Sequence, residues 1–378
     1  MLKAIVNKTI ILNPLSKIQT VVDKKTTMQL LNNVLICVED EKLILEASDL
    51  EISYKGLFEA IIEDQGEITV NARRFYEIVR EIPTELFKIE QLPQNWLKIT
   101  FGDKGEFKLG GLPADNFPRF IFLDKKFHLE CDFNDLRTML KMTSFAVSND
   151  ESKYALSGLL LETDKDKSLI RAVGSNSHRL SLKEIRLSGS GITDDVSIII
   201  PKKAVMEMIR FLEVEDNDQV QKATLYSDDK FLHLSTGNEH LNLRLMDGIY
   251  PDYKLILSLE KERFLYFDRL NMLNVLKRVS LIDPDPEIKS VKITFSGDNA
   301  LVESISKESS DAREMLSVGY SGDDFNMAIN ARYMIETLSV MKSDRVRFTI
   351  NDDESPCIIE GDGDPGFLAL IMPISMDE

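Results

Sequence analysis

The sequence predicts an α+β protein of three tandem repeats, each made of two βαβββ-like halves in which one helix packs on antiparallel strands. Three observations carry that prediction. A segment of one grammar recurs at Val70–Val79, Ile200–Ile209 and Ile329–Leu338, about 130 residues apart, and self-similarity at a fixed period takes precedence over any single motif. Each copy passes from a β-rich run into a helical period. Each is then followed by alternating runs separated by turn residues, as antiparallel strands require. A chain of 378 residues holds two or three domains of ordinary size, and the repeat selects three, at 1–124, 125–254 and 255–378.

The elements follow in chain order. The first half of the first repeat, Lys3 to Asp49, reads as a strand, a helix near Pro14 to Val22 and more strands. Its second half opens with Gly66 to Val70 and continues into a helix with apolar positions 75, 78, 79 and 82. Strands over Leu86 to Ile99 and Glu106 to Leu112 close it. The second repeat runs through Leu129 to Arg179 with a helix over Asn134 to Met142. Then come Ser197 to Ile200, a helix with apolar positions 205, 208, 209 and 212, and strands at Val220 to Ser235 and His240 to Met246. The third places a helix over Leu270 to Val279 within Phe264 to Ile305. It follows with Phe325 to Ile329, apolar positions 334, 338 and 341 with Thr337 between, and strands at Val346 to Glu360 and Phe367 to Met372. An i, i+3, i+4, i+7 stripe is one helix face turned to a core.

Positions 73 and 80 lie within roughly 20° of each other on such a helix and nearly opposite the stripe. The residues there and at the matching places are Arg73 and Arg80, Lys203 and Arg210, Arg332 and Ser339. A solvated face explains one such pair, but recurrence of the sign stands out in a chain with 46 basic and 63 acidic residues and a net charge of −17. The first-half helices also carry cations, at Lys17, Arg137, Lys141, Lys277 and Arg278. Strong net negative charge argues against a protein that coats nucleic acid, so the distribution of charge among faces decides the matter.

Other classes are disfavoured. No apolar run reaches the roughly 18 residues that span a bilayer, and Asn7 and Lys8 interrupt Met1 to Leu15, which leaves no signal-peptide core. A cytoplasmic protein with no membrane partner is expected. Cys37, Cys131 and Cys357 have no close pair, so they are expected to be buried reduced thiols and not a disulfide framework or metal site. Neither a metal nor a cofactor is expected. A hydrolase reading would start from His178, one of four histidines, beside Ser175 and Ser177. Neighbouring strand positions point to opposite faces, and no GxSxG, P-loop, HExxH or GxGxxG motif is present. No catalytic residue is assigned.

At this point the chain resembles a known family, the bacterial DNA polymerase III beta subunit or sliding clamp, from end to end. The residues that carry the resemblance are Ala47-Ser48-Asp49-Leu50-Glu51, Leu156-Ser157-Gly158, Ser177-His178-Arg179-Leu180, the run Asp247 to Tyr253, and Leu370-Ile371-Met372-Pro373-Ile374. The resemblance implies a head-to-tail homodimer, a closed ring with helices lining a pore around duplex DNA, bound topologically and without sequence preference. It implies a polymerase processivity factor that tethers the replicative polymerase alpha-type subunit, the clamp loader and other proteins with clamp-binding motifs.

The DNA-facing residues implied are Arg73, Arg80, Arg137, Lys141, Lys203, Arg210, Lys277, Arg278 and Arg332 on helices, with Lys25, Lys153 and Tyr154 in loops. The partner-peptide pocket implied uses Leu156, Ser175, Ser177, His178, Arg179, Leu180, Pro251 and Ile256. It also uses Asn330, Tyr333, Pro356, Leu370, Met372, Pro373 and Ile374. The dimer interface implied sets Phe107 and Leu109 against Leu281 and Ile282, with Arg74 facing Glu303, Glu308 and Asp311. The chain departs from the family pattern at Ser175-Asn176-Ser177, where Thr-Asp-Gly or Thr-Asp-Ser is usual, at Gln29, where a proline is common, and in its acidic ending Ser375 to Glu378. The family pattern leaves peptide preference open at these places.

Overall fold

The computed structural model describes residues 1–22, 28–103, 105–122, 127–187, 192–213, 222–257, 263–283, 289–305 and 311–374. Among them the helices in chain order are α1 (Lys8–Val21), α2 (Ala72–Glu81), α3 (Phe133–Ser144), α4 (Lys202–Phe211), the short α5 (Lys254–Leu257), α6 (Arg269–Val279) and α7 (Ala331–Val340). Helices α2, α4 and α7 are the three copies of the repeated segment, each directly after a strand, at Gly66–Asn71, Ser197–Pro201 and Phe325–Asn330. Local chemistry starts two of them alike. The side-chain oxygens of Asn71 and Asn330 accept from the backbone N–H groups of Arg74 and Arg332, both at 3.0 Å, satisfying donors that the first helical turn leaves open. The apolar stripe is buried in all three copies, through Phe75, Val79 and Ile82, through Val205, Met208, Ile209 and Leu212, and through Met334, Leu338 and Met341 with Thr337.

Helix α1 departs from expectation. It begins at Lys8, well ahead of Pro14, which it contains. Thr9-Ile10-Ile11 is β-prone by itself, yet Asn7 caps the helix by accepting from the Thr9 N–H at 2.8 Å. Burial of Ile11, Pro14, Leu15, Ile18 and Val21 at helical spacing then overrides propensity. Its first residue also ties it to α2: the Lys8 ammonium donates to the carbonyls of Arg80 and Ile82 at 2.8 and 2.6 Å, a cation placed at a helix C-terminus.

The chain forms two compact units. The first comprises Met1–Asn134, Gly191–Thr193 and Met206–Leu245. Its thirteen-stranded antiparallel sheet continues across the repeat boundary, because Glu239–Arg244 pairs with Ile52–Glu59, with Leu241 opposite Tyr54. The second unit comprises Asp135–Ser190, Asp194–Val205 and Met246–Glu378. Among the described residues it holds an eight-stranded and a four-stranded sheet, and in the former Arg179–Arg186 pairs with Phe367–Ile371, Leu180 standing opposite Leu370. Its main core gathers α6, α7 and their strands around Phe267, Leu276, Phe295, Leu338 and Phe348.

Lys17 is a first-half helix cation whose place the sequence left open. It is not an outward cation but is 12% exposed and paired with Glu239, also 12% exposed, at 2.7 Å. Removing one member of a buried pair leaves an uncompensated charge. Lys17→Ala is expected to lower unfolding stability by about 3 kcal/mol, read as a lower urea midpoint, whereas a change under 0.5 kcal/mol, the size usual for a solvated surface lysine, would return Lys17 to the surface class. The three cysteines are buried free thiols, and burial pushes the Cys37 and Cys357 thiols up to about 11 and about 12.

Candidate DNA-facing helices and partner groove

The repeated outward positions are where the helical period put them. Arg73, Arg80, Lys203 and Arg210 are exposed, Arg332 is half-buried, and Ser339 is exposed. What periodicity did not show is that these arginines have acidic companions. Arg73 pairs with Glu77 at 3.0 Å, Arg80 with Glu81 at 2.9 Å, and Arg332 with Glu336 at 3.0 Å. Arg210 pairs with Glu207 on the same helix. Arg278 is held in a fork by both Glu314 oxygens, at 2.9 and 2.5 Å. Lys141 and Lys277 are exposed and Arg137 is half-buried. In the loops, Lys153 donates to the Asn176 carbonyl at 3.3 Å and Tyr154 is 56% exposed, so its ring does not belong to the core. Lys25 lies outside the described residues. The Arg73–Glu77 and Arg80–Glu81 pairs are exposed and contribute little to stability, so these two arginines can exchange a carboxylate for a phosphate at small cost.

The groove residues belong to the second unit, and one strand sorts them. Successive side chains of Arg179–Arg186 point to opposite faces. Leu180 joins an apolar cluster with Leu160, Val173, Leu182, Ile199, Tyr253, Ile358 and Leu370, and Met372, Tyr250 and Leu257 pack against it. Arg179 goes the other way. It is 6% exposed, its guanidinium lies 4.4 Å from the Tyr333 ring and 5.2 Å from the Phe145 ring, and it donates to Glu336 at 2.5 Å and to the Phe145 carbonyl at 2.6 Å.

A tight turn precedes the strand. Asn176 Oδ1 accepts from the backbone N–H groups of His178 and Arg179, both at 3.0 Å, and Asn176 Nδ2 donates to the Tyr333 hydroxyl at 3.3 Å. The Asn176 clamp supports Ser177 at φ 79°, a left-handed conformation that favours glycine. Ser175 Oγ donates to the Arg179 carbonyl at 2.8 Å, so this hydroxyl organises the turn and is not positioned by a general base. Gly174 allows the approach, because a Cβ there would lie 2.3 Å from the Thr143 carbonyl oxygen.

The chain end closes the other side. Met372 N–H donates to the His178 carbonyl and Ile374 N–H to the Ala328 carbonyl, each at 2.8 Å. Leu156, Pro356 and Pro373 are half-buried, and Asn330 is buried as the cap of α7. Pro251 and Ile256 are exposed, next to Ile249 at 92% and Leu255 at 68% exposure. A cleft of about 350 Å³ beside the cluster is lined by Leu182, Tyr253, Leu257 and Leu368 together with Arg171 and Glu360. Sequence reasoning missed Tyr250, Tyr253 and Leu257, although the run Asp247 to Tyr253 carried the resemblance. It also missed Phe145 and Glu336, which no motif marks because they meet Arg179 only through folding.

The residues expected at a dimer interface divide. Phe107 is 41% exposed and stacks on Phe101 at 5.8 Å, whereas Leu109 is buried within its own unit. Leu281 is 75% exposed, Ile282 and Glu303 are half-buried, and Arg74 and Asp311 are exposed. Glu308 lies outside the described residues. Among the described residues, the strand Gly105–Leu112 pairs with Gly66–Asn71 only at Gly111 and Leu112, so its stretch from Gly105 to Gly110 is bonded on one side, to Trp96–Phe101. The strand Arg313–Ser317 is likewise the edge of its sheet, bonded to Asn299–Ser304.

Repeated helix-on-sheet halves that turn cations outward, together with an apolar groove in the second unit, fit a clamp that holds other molecules. Comparison with known proteins agrees along the chain. Residues 2–121, 130–252 and 255–375 match the N-terminal, central and C-terminal domains of the DNA polymerase III beta subunit. The beta sliding clamp of Haemophilus influenzae is 26% identical over 367 residues, 97% of this chain and 98% of that protein, and that of Chlamydia muridarum is 27% identical over 378 residues, the whole of both. A crystal structure of the Pseudomonas aeruginosa sliding clamp bound to griselimycin is similar with a TM-score of 0.91 at 25% identity, over 99% of this chain and all of that one. The chain belongs to the DNA polymerase III beta subunit family, and its fold is the clamp fold. It is a DNA polymerase processivity clamp, without catalysis of its own, and its partners are DNA and polymerase.

Proposed function

We propose that two copies close head to tail into a ring around duplex DNA, with clamp domains at 1–124, 125–254 and 255–378. The three family matches, at 2–121, 130–252 and 255–375, support that division. The observation that carries the ring is the pair of one-sided strands. Among the described residues Gly105–Gly110 and Arg313–Ser317 are each bonded to a strand on one side only, a template for another strand. Beside them stand the exposed side chains of Phe107, Met315 and Leu281. Joining one edge to the other across two copies satisfies both, and a heterologous contact that closes with two copies gives a ring.

Within the ring, Arg73, Arg80, Arg137, Lys141, Lys203, Arg210, Lys277, Arg278 and Arg332 face the duplex, aided by Lys25, Lys153 and Tyr154. The carboxylates beside many of these cations support weak phosphate contact, since each phosphate neutralised steepens the dependence on salt. Topology and not affinity then holds the ring, which reconciles sliding with a net charge of −17. The groove around Leu180, Leu370 and Met372 receives short peptides with apolar anchors from the replicative polymerase, the clamp loader and other clamp-binding proteins. A cluster of leucines with a flexible methionine suits several such peptides. The protein works in the cytoplasm. Among the described residues no helix is long and apolar enough to cross a membrane.

The ring is tested by loading the protein with a clamp loader onto circular DNA and then linearising it. Retention on the circle and loss after cutting are expected. Equal behaviour on both forms would rule the ring out.

A further inference from the structure

The groove and the DNA-facing side of α7 meet at one carboxylate. Glu336 Oε2 accepts from Arg179 Nη1 at 2.5 Å, while Oε1 accepts from Arg332 Nε at 3.0 Å. The two arginines serve different surfaces. Arg179 is buried beneath the turn that borders the groove, clasped by Tyr333 and Phe145, whereas the Arg332 side chain is 34% exposed. Lys202, bonded to the Val147 carbonyl at 2.9 Å and to Asn149 at 2.8 Å, adds positive potential nearby. One carboxylate therefore bridges two arginines through its two oxygens.

We propose that Glu336 is a shared carboxylate that couples peptide binding in the groove to duplex contact at Arg332. The inference rests on the assignment of the groove and of Arg332 made above. A phosphate that takes the hydrogen bonds of Arg332 leaves Glu336 to Arg179. A firmly held Arg179 fixes Tyr333 beneath its guanidinium, and Tyr333 accepts from Asn176, whose side chain holds the turn over Ser177. The wall of the groove is then ordered before the peptide arrives, which strengthens binding by lowering its ordering cost. Coupling of binding free energies is reciprocal, so a bound peptide also favours duplex contact at Arg332. The ring on DNA thus presents a better groove than the ring in solution.

Glu336→Gln keeps the shape and removes the charge, and it moves the two affinities in opposite directions. Arg332 loses a carboxylate that competes with phosphate, so a labelled short duplex binds more tightly, with the salt slope steeper by about 0.9 for one added phosphate contact. Arg179 loses its anion, so a fluorescein-labelled peptide with leucine and phenylalanine anchors binds on the order of fivefold more weakly. With the unaltered ring, the same peptide binds on the order of fivefold more tightly when duplex is present. Arg332→Gln, at a half-exposed position, retains Glu336 and abolishes that dependence on duplex.

Affinities that both stay put, or both move the same way, in Glu336→Gln would overturn the coupling, as would a duplex effect that survives in Arg332→Gln. Ile256→Asp separates the coupling from the groove itself. Peptide binding lost in Ile256→Asp but insensitive to Glu336→Gln and to duplex removes the coupling and leaves the groove. Binding that Ile256→Asp does not touch removes both.

Discussion

Replacing Leu281 and Ile282 by aspartate is expected to turn the proposed dimeric ring into monomers. Leu281 follows α6 and is 75% exposed, with Ile282 half-buried beside it, so the Leu281 side chain does not hold up its own unit. An exposed leucine at the end of a helix gains stabilisation only from a partner, about 2 kcal/mol for full burial. Aspartate there adds a desolvation penalty of several kcal/mol for a carboxylate with no partner. At 1.4 kcal/mol for each tenfold, the double variant weakens dimerisation by at least about a thousandfold. Sedimentation velocity at micromolar concentration should show the monomer mass with unchanged circular dichroism. A dimer mass that survives would move the interface elsewhere.

The second large effect is at the other end of the chain. Removal of residues 372–378 is expected to lower the affinity for a leucine- and phenylalanine-anchored peptide by about thirtyfold or more while the ring remains dimeric. Met372 packs against the Leu180 and Leu370 cluster, and its N–H ties the chain end to the His178 carbonyl at 2.8 Å. Truncation opens one wall of the groove, and an interface anchor lost from an apolar pocket typically costs 2 kcal/mol or more. The fold survives because the strand Phe367–Ile371, which pairs with Arg179–Arg186, stays in place. Fluorescence anisotropy reads the affinity and sedimentation reads the ring. Undiminished peptide binding in a dimeric truncated protein would place the groove on another surface.

The two experiments separate properties that depend on different kinds of contact. The proposed dimer closure is read from strand edges and apolar side chains that are exposed among the described residues. The groove is read from a cluster that is already largely packed, beside which Asn176, Ser175 and Arg179 hydrogen-bond to neighbouring backbone groups. This explains why Leu281 stands out by exposure alone, while Leu180 and Leu370, 5% and 3% exposed, look like ordinary core until their neighbours are known. The departure Ser175-Asn176-Ser177 also acquires a physical meaning. Asparagine supplies the side-chain oxygen that holds the turn, and serine takes the left-handed position at φ 79°.

Much of this protein was legible in its residues. A period of about 130 residues and an apolar stripe of helical spacing placed α2, α4 and α7, because burial of one helix face imposes the same spacing wherever the fold repeats. The outward position of Arg73, Arg80, Lys203 and Arg210 followed from the same geometry. Three things did not. The start of α1 was hidden by β-prone residues that only tertiary burial makes helical. The fate of Lys17 depended on Glu239, some two hundred residues away in the chain. The companions of the outward arginines escaped because periodicity gives a residue's direction and not the rotamer of its neighbour.

The sequence alone thus determined the repeat, the helix faces and the sign of charge on them, since each depends on the spacing of residues along one element. Tertiary structure decided which cations are neutralised, which leucines line a groove and where strands lack partners. Those properties arise when distant segments meet, as Arg179 meets Glu336 and Leu180 meets Leu370, and no local pattern encodes a meeting.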